Sequence, residues 1–351
     1  MRTLGAGVAL LAAVTAAACS GSSQPPASQS SGGTVQITGA GATFPNPLYS
    51  KWFSDYNKLH PEVQINYQSQ GSGAGIRQLI SRTVFFGATD GPMTDEQLKA
   101  APDRILHFPT VLGAVVPVYN LPNFSGEVKM TGPVLADIIL GKIKKWNDPA
   151  LGKLNPGITL PATDITVVHR SDGSGTTFIW VDYLSKVSPE FKSKVGVDTS
   201  VSWPVGVGGK GNEGVAGLVR QTPGALGYVE LIYAQQNKIA YAPVQNSAGT
   251  FVKASVDSVT AAAAGAAAQM PDDFRVSITN PPGADAYPIA SFTWILLYEN
   301  PDNTAHAKVM VDFLKWALTE GQTSARELGY APLPKTVVDK EMIALQKIKL
   351  Q

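Results

Sequence analysis

Val35-Gln36-Ile37-Thr38-Gly39-Ala40-Gly41-Ala42-Thr43-Phe44-Pro45-Asn46-Pro47-Leu48 decides how this chain is read. Its β-branched start predicts a strand, Val35 to Thr38, running into a glycine turn. Pro47 to Leu59 follows as a helix, with proline tolerated at its start and Leu48, Trp52, Tyr56 and Leu59 on one face. The unit recurs. Val63 to Gln68 is a strand, Gly71-Ser72-Gly73-Ala74-Gly75 turns, and Ile76 to Ser81 is a short helix; Ile165 to His169 enters Asp172-Gly173-Ser174-Gly175-Thr176, and Thr176 to Val187 is a helix. This alternation predicts an α/β protein with a mainly parallel sheet. The first N–H groups of a helix lack intrahelical partners and carry partial positive charge, so three such turns can together enclose one tetrahedral oxyanion.

Outward from these units, Phe85 to Asp90 reads as a strand with an acidic residue at its carboxyl end, where ligands sit in open α/β sheets. The apolar run Val111 to Tyr119 leads into a loop, Leu121 to Met130. Helices are expected at Val134 to Lys145, at the alanine-rich Ser258 to Met270 and at Val309 to Leu318, and a turn and short strand at Gly224 to Glu230. Two units before residue 120 and one after it suggest two α/β lobes with a ligand between them. A length of 351 residues with 44% hydrophobic content supports two cores.

The N-terminus has its own logic. Arg2 precedes the small, apolar Leu4 to Ala18, too short for a confident membrane span, so residues 1–18 read as a secretory signal peptide. Ala16-Ala17-Ala18-Cys19 resembles a bacterial lipoprotein cleavage box, with Ala16 where leucine is common. It marks Cys19, the only cysteine, for lipidation and anchoring to the cell membrane. Residues 19–34, rich in Ser, Gly, Gln and Pro, form a flexible tether. A lone cysteine excludes an intrachain disulfide. Without Arg2 the chain has 27 basic and 27 acidic residues, so no charge excess points to nucleic acid.

Individual residues sharpen the anion reading. Thr43 and Ser72 lie where glycine turns meet helices, fit either to cap or to donate to an anion. Arg170-Ser171-Asp172-Gly173-Ser174-Gly175-Thr176 places a guanidinium at a strand end, a carboxylate that can orient it, and hydroxyls opening a helix. Asp90 repels an anion unless the anion carries a proton for it to accept; it would then retain hydrogen phosphate and reject sulfate. A turn aspartate before Gly91-Pro92 is the equally weighted alternative. His60, His107, His169 and His306 lack metal-ligand spacing, and neither glycine cluster has the spacing of a phosphate-loop enzyme. The turn Gly208-Gly209-Lys210-Gly211-Asn212 reads as structural. His169 and Arg170, adjacent on a strand, cannot face the same site.

Thr38 to Pro45, Gly87-Ala88-Thr89-Asp90, Gly141 to Trp146, Asp172 to Thr176, Gly208 to Asn212 and Pro223 to Tyr228, in this order, resemble the extracytoplasmic phosphate-binding proteins of bacterial high-affinity phosphate ABC transporters. The likeness runs from Gln36 to Pro334. It implies a two-lobed, periplasmic-binding-protein-like (type II) clamshell with crossings near Tyr119 and Pro288: residues 35–118 and 289–351 as lobe 1, 119–288 as lobe 2. It implies a monomeric, cofactor-free receptor, not an enzyme, that delivers inorganic phosphate to membrane permease subunits. By position, Thr43 and the Phe44 N–H, Ser72, Asp90, Arg170, Ser174, Gly175 and Thr176 would contact phosphate, and Asp172 would hold Arg170. Phe85, Thr89 and His169 depart from the family pattern. A receptor for another oxyanion such as sulfate or molybdate, a secreted phosphohydrolase, or an adhesion or sensing protein are the alternatives.

Overall fold

The computed structural model of the chain describes residues 33–267 and 270–351. The expected signal peptide, Cys19 and the tether up to residue 32 lie outside them.

Strand β1 (Val35–Gly41) is longer than its β-branched stretch, because Gly39 and Gly41 continue it. Helix α1 (Asn46–Leu59) follows, then β2 (Val63–Ser69), α2 (Ser72–Ile80), β3 (Phe86–Thr89) and α3 (Asp95–Ala100). α2 starts inside the glycine turn rather than after it. A long strand, β4 (Ile105–Tyr119), leads to α4 (Gly132–Ile139), shorter than expected, and α5 (Pro149–Leu154). Next come β5 (Thr166–Arg170), α6 (Gly175–Val187), α7 (Pro189–Lys194), β6 (Val207–Gly209), α8 (Gly211–Gln221), β7 (Ala225–Glu230) and α9 (Leu231–Gln236). Short strands β8 (Ala240–Tyr241), β9 (Val244–Gln245) and β10 (Phe251–Val252) precede α10 (Val256–Ala267). The chain closes with β11 (Ala290–Tyr298), α11 (Thr304–Leu318), α12 (Gln322–Glu327) and α13 (Lys335–Ala344).

The main sheet runs β2-β1-β3-β11-β4-β7-β5-β6, with β8 also on β4. It is mixed, which corrects the expectation of a mainly parallel sheet. β2-β1-β3 and β7-β5-β6 are parallel trios, but β11 lies antiparallel to β3 and β4, and β4 antiparallel to β7. β4 joins the two trios: it pairs with β11 up to Ala114 and with β7 from Val115 onward. The change of partner therefore falls earlier than Tyr119, within one continuous apolar strand. The segment Phe274–Arg275 also packs toward the first trio, through Trp294 Nε1 donating to the Phe274 carbonyl (2.9 Å) and Arg275 Nη1 donating to the Met93 carbonyl (3.0 Å).

Amphipathic α1 buries Leu48, Tyr49, Trp52, Phe53 and Tyr56 against the first trio. Tyr67 stacks on Phe86, and Phe53 meets Phe313 of α11. Burying side chains of this size contributes about 2–3 kcal/mol each, so this face anchors the helix. Leu59, expected on the same face, is 61% exposed at the last turn. Two glycines bring backbones close together: a Cβ on Gly41 would lie 2.0 Å from the Ala88 carbonyl oxygen, and one on Gly75 2.5 Å from that of Ala40. Only glycine lets α2 sit this close to the carboxyl ends of β1 and β3. No helix among the described residues is long and apolar enough to cross a membrane.

Candidate functional site

The segments that open α1, α2, α6 and α8 meet where β4 changes partner. Thr43 precedes α1 and is buried; its Oγ1 accepts from both the backbone N–H (3.2 Å) and Nδ2 (2.8 Å) of Asn212. Nδ2 donates its second proton to Thr176 Oγ1 (3.1 Å). Each threonine oxygen is thus used as an acceptor, leaving its proton free to donate. The carbonyl oxygens of Thr43 and Phe44 accept from Tyr233 (2.6 Å) and Tyr330 (2.7 Å), which fixes the turn. Neither Thr43 nor Ser72 is a helix cap: Pro45 and Gly71 hold those positions.

Ser72 instead bridges the two trios. Its Oγ accepts from Asp90 N–H (3.2 Å) and Gly175 N–H (3.0 Å), and the Gly73 N–H donates to the Gly173 carbonyl (3.0 Å). A Cβ on Gly175 would lie 2.5 Å from Ser72 Oγ and 2.6 Å from Asp90 Cβ, so glycine is required for this approach. Ser174 does cap α6, accepting from Thr177 N–H at 3.0 Å.

Arg170 ends β5 with a side chain 1% exposed. Its Nε and Nη2 donate to Asp172 at 2.7 and 2.5 Å, a bidentate fork. Asp172 also accepts from the Gly211 N–H (3.1 Å). Burial works against its charge, but Arg170 and this N–H outweigh burial and hold its pKa below the ordinary value. His169 turns the other way: its ring stacks on Trp203 at 4.9 Å, as strand alternation requires.

Asp90 follows β3 and is 1% exposed. One oxygen, Oδ1, accepts from Thr293 Oγ1 at 2.8 Å. Burial raises its pKa from 3.8 to about 7, against the lowering pull of Thr293, Arg170 and Ser72, while Asp172 adds to the rise. Its Oδ2 and Arg170 Nη1 are buried without a hydrogen-bond partner among the described residues. Buried polar atoms are rarely left so, and here an acceptor and a donor from the two trios share one centre.

Thr43, Phe44, Ser72, Asp90, Arg170, Asp172, Ser174, Gly175 and Thr176 therefore come together, whereas Phe85 packs on His306, away from them. Sequence reasoning missed Asn212 and Thr293. Asn212 opens α8 after Gly211, whose φ of +71° favours glycine, and its Oδ1 accepts the Glu230 N–H at 2.9 Å. The signal was the Gly-Asn pair, read as a structural turn. Replacing Asn212 with alanine strands the Glu230 N–H and removes the side-chain Nδ2 donors to Thr43 and Thr176, leaving only the backbone N–H on Thr43. The expected loss of folding stability is about 2–4 kcal/mol, measured by denaturant unfolding of the ligand-free protein; a change below about 0.5 kcal/mol would show the hub to be dispensable.

The two parallel trios are joined through β4 with the helix-opening turns converging at the junction, and the PBP superfamily domain model matches residues 26–320. A phosphate-binding protein PstS from Pasteurella multocida (strain Pm70) is 51% identical over 305 residues, 87% of this chain and 88% of that protein. One from Xylella fastidiosa (strain 9a5c) is 50% identical over 319 residues, 91% of this chain and 87% of that protein. Among solved structures, a candidate phosphate ABC transporter substrate-binding protein with bound phosphate from Clostridium perfringens superposes with a TM-score of 0.64 at 17% identity, covering 86% of this chain and 100% of that one. The chain belongs to the PBP superfamily and, within it, to the PstS family of phosphate-binding proteins.

Proposed function

We propose that this protein is an extracytoplasmic receptor that closes on one inorganic phosphate and delivers it to an ABC-transporter permease. The observation that carries the reading is the unpaired couple of Asp90 Oδ2 and Arg170 Nη1. Hydrogen phosphate matches both, donating its hydroxyl to Asp90 and accepting from Arg170. Thr43 and the Phe44 N–H, Ser72, Ser174 and Thr176 supply the remaining donors, the Gly175 N–H orients the Ser72 hydroxyl, and Asp172 holds the guanidinium in place. The names of the relatives and the phosphate bound in the structural neighbour support the same ligand.

Residues 35–118 and 289–351 form one lobe and 119–288 the other, hinged on β4 and the chain entering β11. The protein works as a monomer, binds rather than transforms its ligand, and is held at the membrane through a lipid on Cys19. Sulfate and molybdate fit less well because neither offers Asp90 a proton. Acid release and identification of the copurifying anion, followed by calorimetric titration of the stripped protein, tests the reading. Phosphate should be released and should rebind far more tightly than sulfate; release of another anion, equal affinity for the two, or turnover of a phosphate ester would overturn it.

A further inference from the structure

We infer that Thr293 is a positioning residue for anion discrimination: its hydroxyl pins one oxygen of Asp90 so that the other faces the ligand. This rests on the phosphate-receptor reading above. Thr293 stands at an irregularity in the pairing of β11 with β4. Thr293 lies opposite Val111 and Trp294 opposite Pro109, which leaves Thr110 as the extra residue. Bulges re-aim side chains beside functional sites. Here the extra residue also holds the backbone in place: Thr110 Oγ1 donates to the Thr293 carbonyl (3.2 Å) and meets the Tyr49 hydroxyl at 2.8 Å.

Fully buried, the Thr293 hydroxyl has two acceptors in reach, Asp90 Oδ1 at 2.8 Å and the Thr89 carbonyl at 3.3 Å. The shorter contact goes to the group that can be charged, where a hydrogen bond is strongest. Asp90 is otherwise tied through its backbone, its N–H to Ser72 and its carbonyl to Ser291 Oγ at 3.4 Å. One oxygen remains to read the ligand. The charged and titratable groups facing Asp90 are Arg170 and Asp172 across the cleft and Glu230 at the end of β7. Tyr49, Tyr67, Tyr233 and Tyr330 also face it, and burial keeps their hydroxyls protonated.

A donor to the charged form lowers a carboxyl pKa, so losing the Thr293 hydroxyl lets Asp90 keep its proton to higher pH and donate it to sulfate. The test measures the inhibition constant of sulfate against phosphate binding from pH 5 to 9 in wild type, Thr293→Val, Thr293→Ala and Thr293→Ser. Wild type should show a break near pH 7, above which sulfate is increasingly rejected. In Thr293→Val and Thr293→Ala the break should move up by about one pH unit, with about fivefold poorer rejection at pH 8, and Thr293→Ser should restore both. Melting temperatures of the ligand-free proteins over the same range should carry the same displaced break. An unmoved break in the hydroxyl-free variants, a Thr293→Ser that behaves like Thr293→Val, or a break that survives in Asp90→Asn overturns the inference. A wild type that binds no phosphate overturns the underlying reading instead.

Discussion

Replacing Arg170 with alanine is expected to weaken phosphate binding by roughly 10²- to 10⁴-fold, the equivalent of the 3–5 kcal/mol lost when one partner of a buried ion pair is removed. The guanidinium is buried, makes two bonds to Asp172 and leaves Nη1 without a partner among the described residues. Without it, Asp90 and Asp172 remain as two carboxylates in one buried site, so an incoming anion meets charge of its own sign. Asp172 then loses the partner that outweighs its burial, and its pKa should rise toward or above the ordinary value. Arg170→Lys separates charge from geometry. An ammonium cannot fork across Asp172 while also reaching phosphate, so its affinity should fall between those of wild type and Arg170→Ala. Calorimetry at neutral pH reads both. Affinity within tenfold of wild type in Arg170→Ala would mean that Arg170 serves only to hold Asp172.

How much of this was legible depended on how local each feature is. The helix faces were readable because Leu48, Trp52 and Tyr56 recur at helical spacing. The first parallel trio was readable because each strand, turn and helix is contiguous; in the second, β5 and β7 were, but β6 falls in the stretch around Gly208 read as a turn. β11 was not singled out: Ala290–Tyr298 is largely apolar, buried on both sides and antiparallel to strands distant in sequence, so periodicity offers little. The mixed sheet follows from β11 together with β4, which is antiparallel to β7 as well. Arg170 and Asp172 were legible because only Ser171 separates the strand end from the turn carboxylate. Asn212 and Thr293 were not, since their roles exist only once α8 and β11 are folded against Thr43 and Asp90. Capping statistics misjudged Thr43 and Ser72 for a related reason. Serine and threonine at helix starts usually satisfy their own helix, but here Ser72 accepts from an N–H of the opposite trio.

Asp90→Asn should change both stability and selectivity, and pH separates the two. In the ligand-free protein burial lifts the Asp90 pKa from 3.8 to about 7. A raised carboxyl pKa means that the folded state holds its proton where the unfolded chain has released it, so the contribution to stability is complete below the unfolded value and lost as pH rises through about 7. The loss over that interval approaches about 4 kcal/mol at most. An amide has no such dependence. Ligand-free Asp90→Asn should therefore be more stable than wild type at pH 8, with the gap closing toward pH 4, by denaturant titration.

Selectivity follows from the same proton. Sulfate can enter wild type only if Asp90 takes up a proton, which requires little free energy below pH 7 and more with each unit above it. Sulfate affinity should thus fall about tenfold per pH unit on the alkaline side, whereas hydrogen phosphate brings its own hydrogen and escapes that slope. In Asp90→Asn the slope for sulfate should vanish and discrimination at pH 8.5 should drop by more than tenfold. A wild-type protein that rejects sulfate equally at pH 6 and pH 8.5, or an Asp90→Asn that rejects it as well as wild type does, would place the discrimination elsewhere in the cleft.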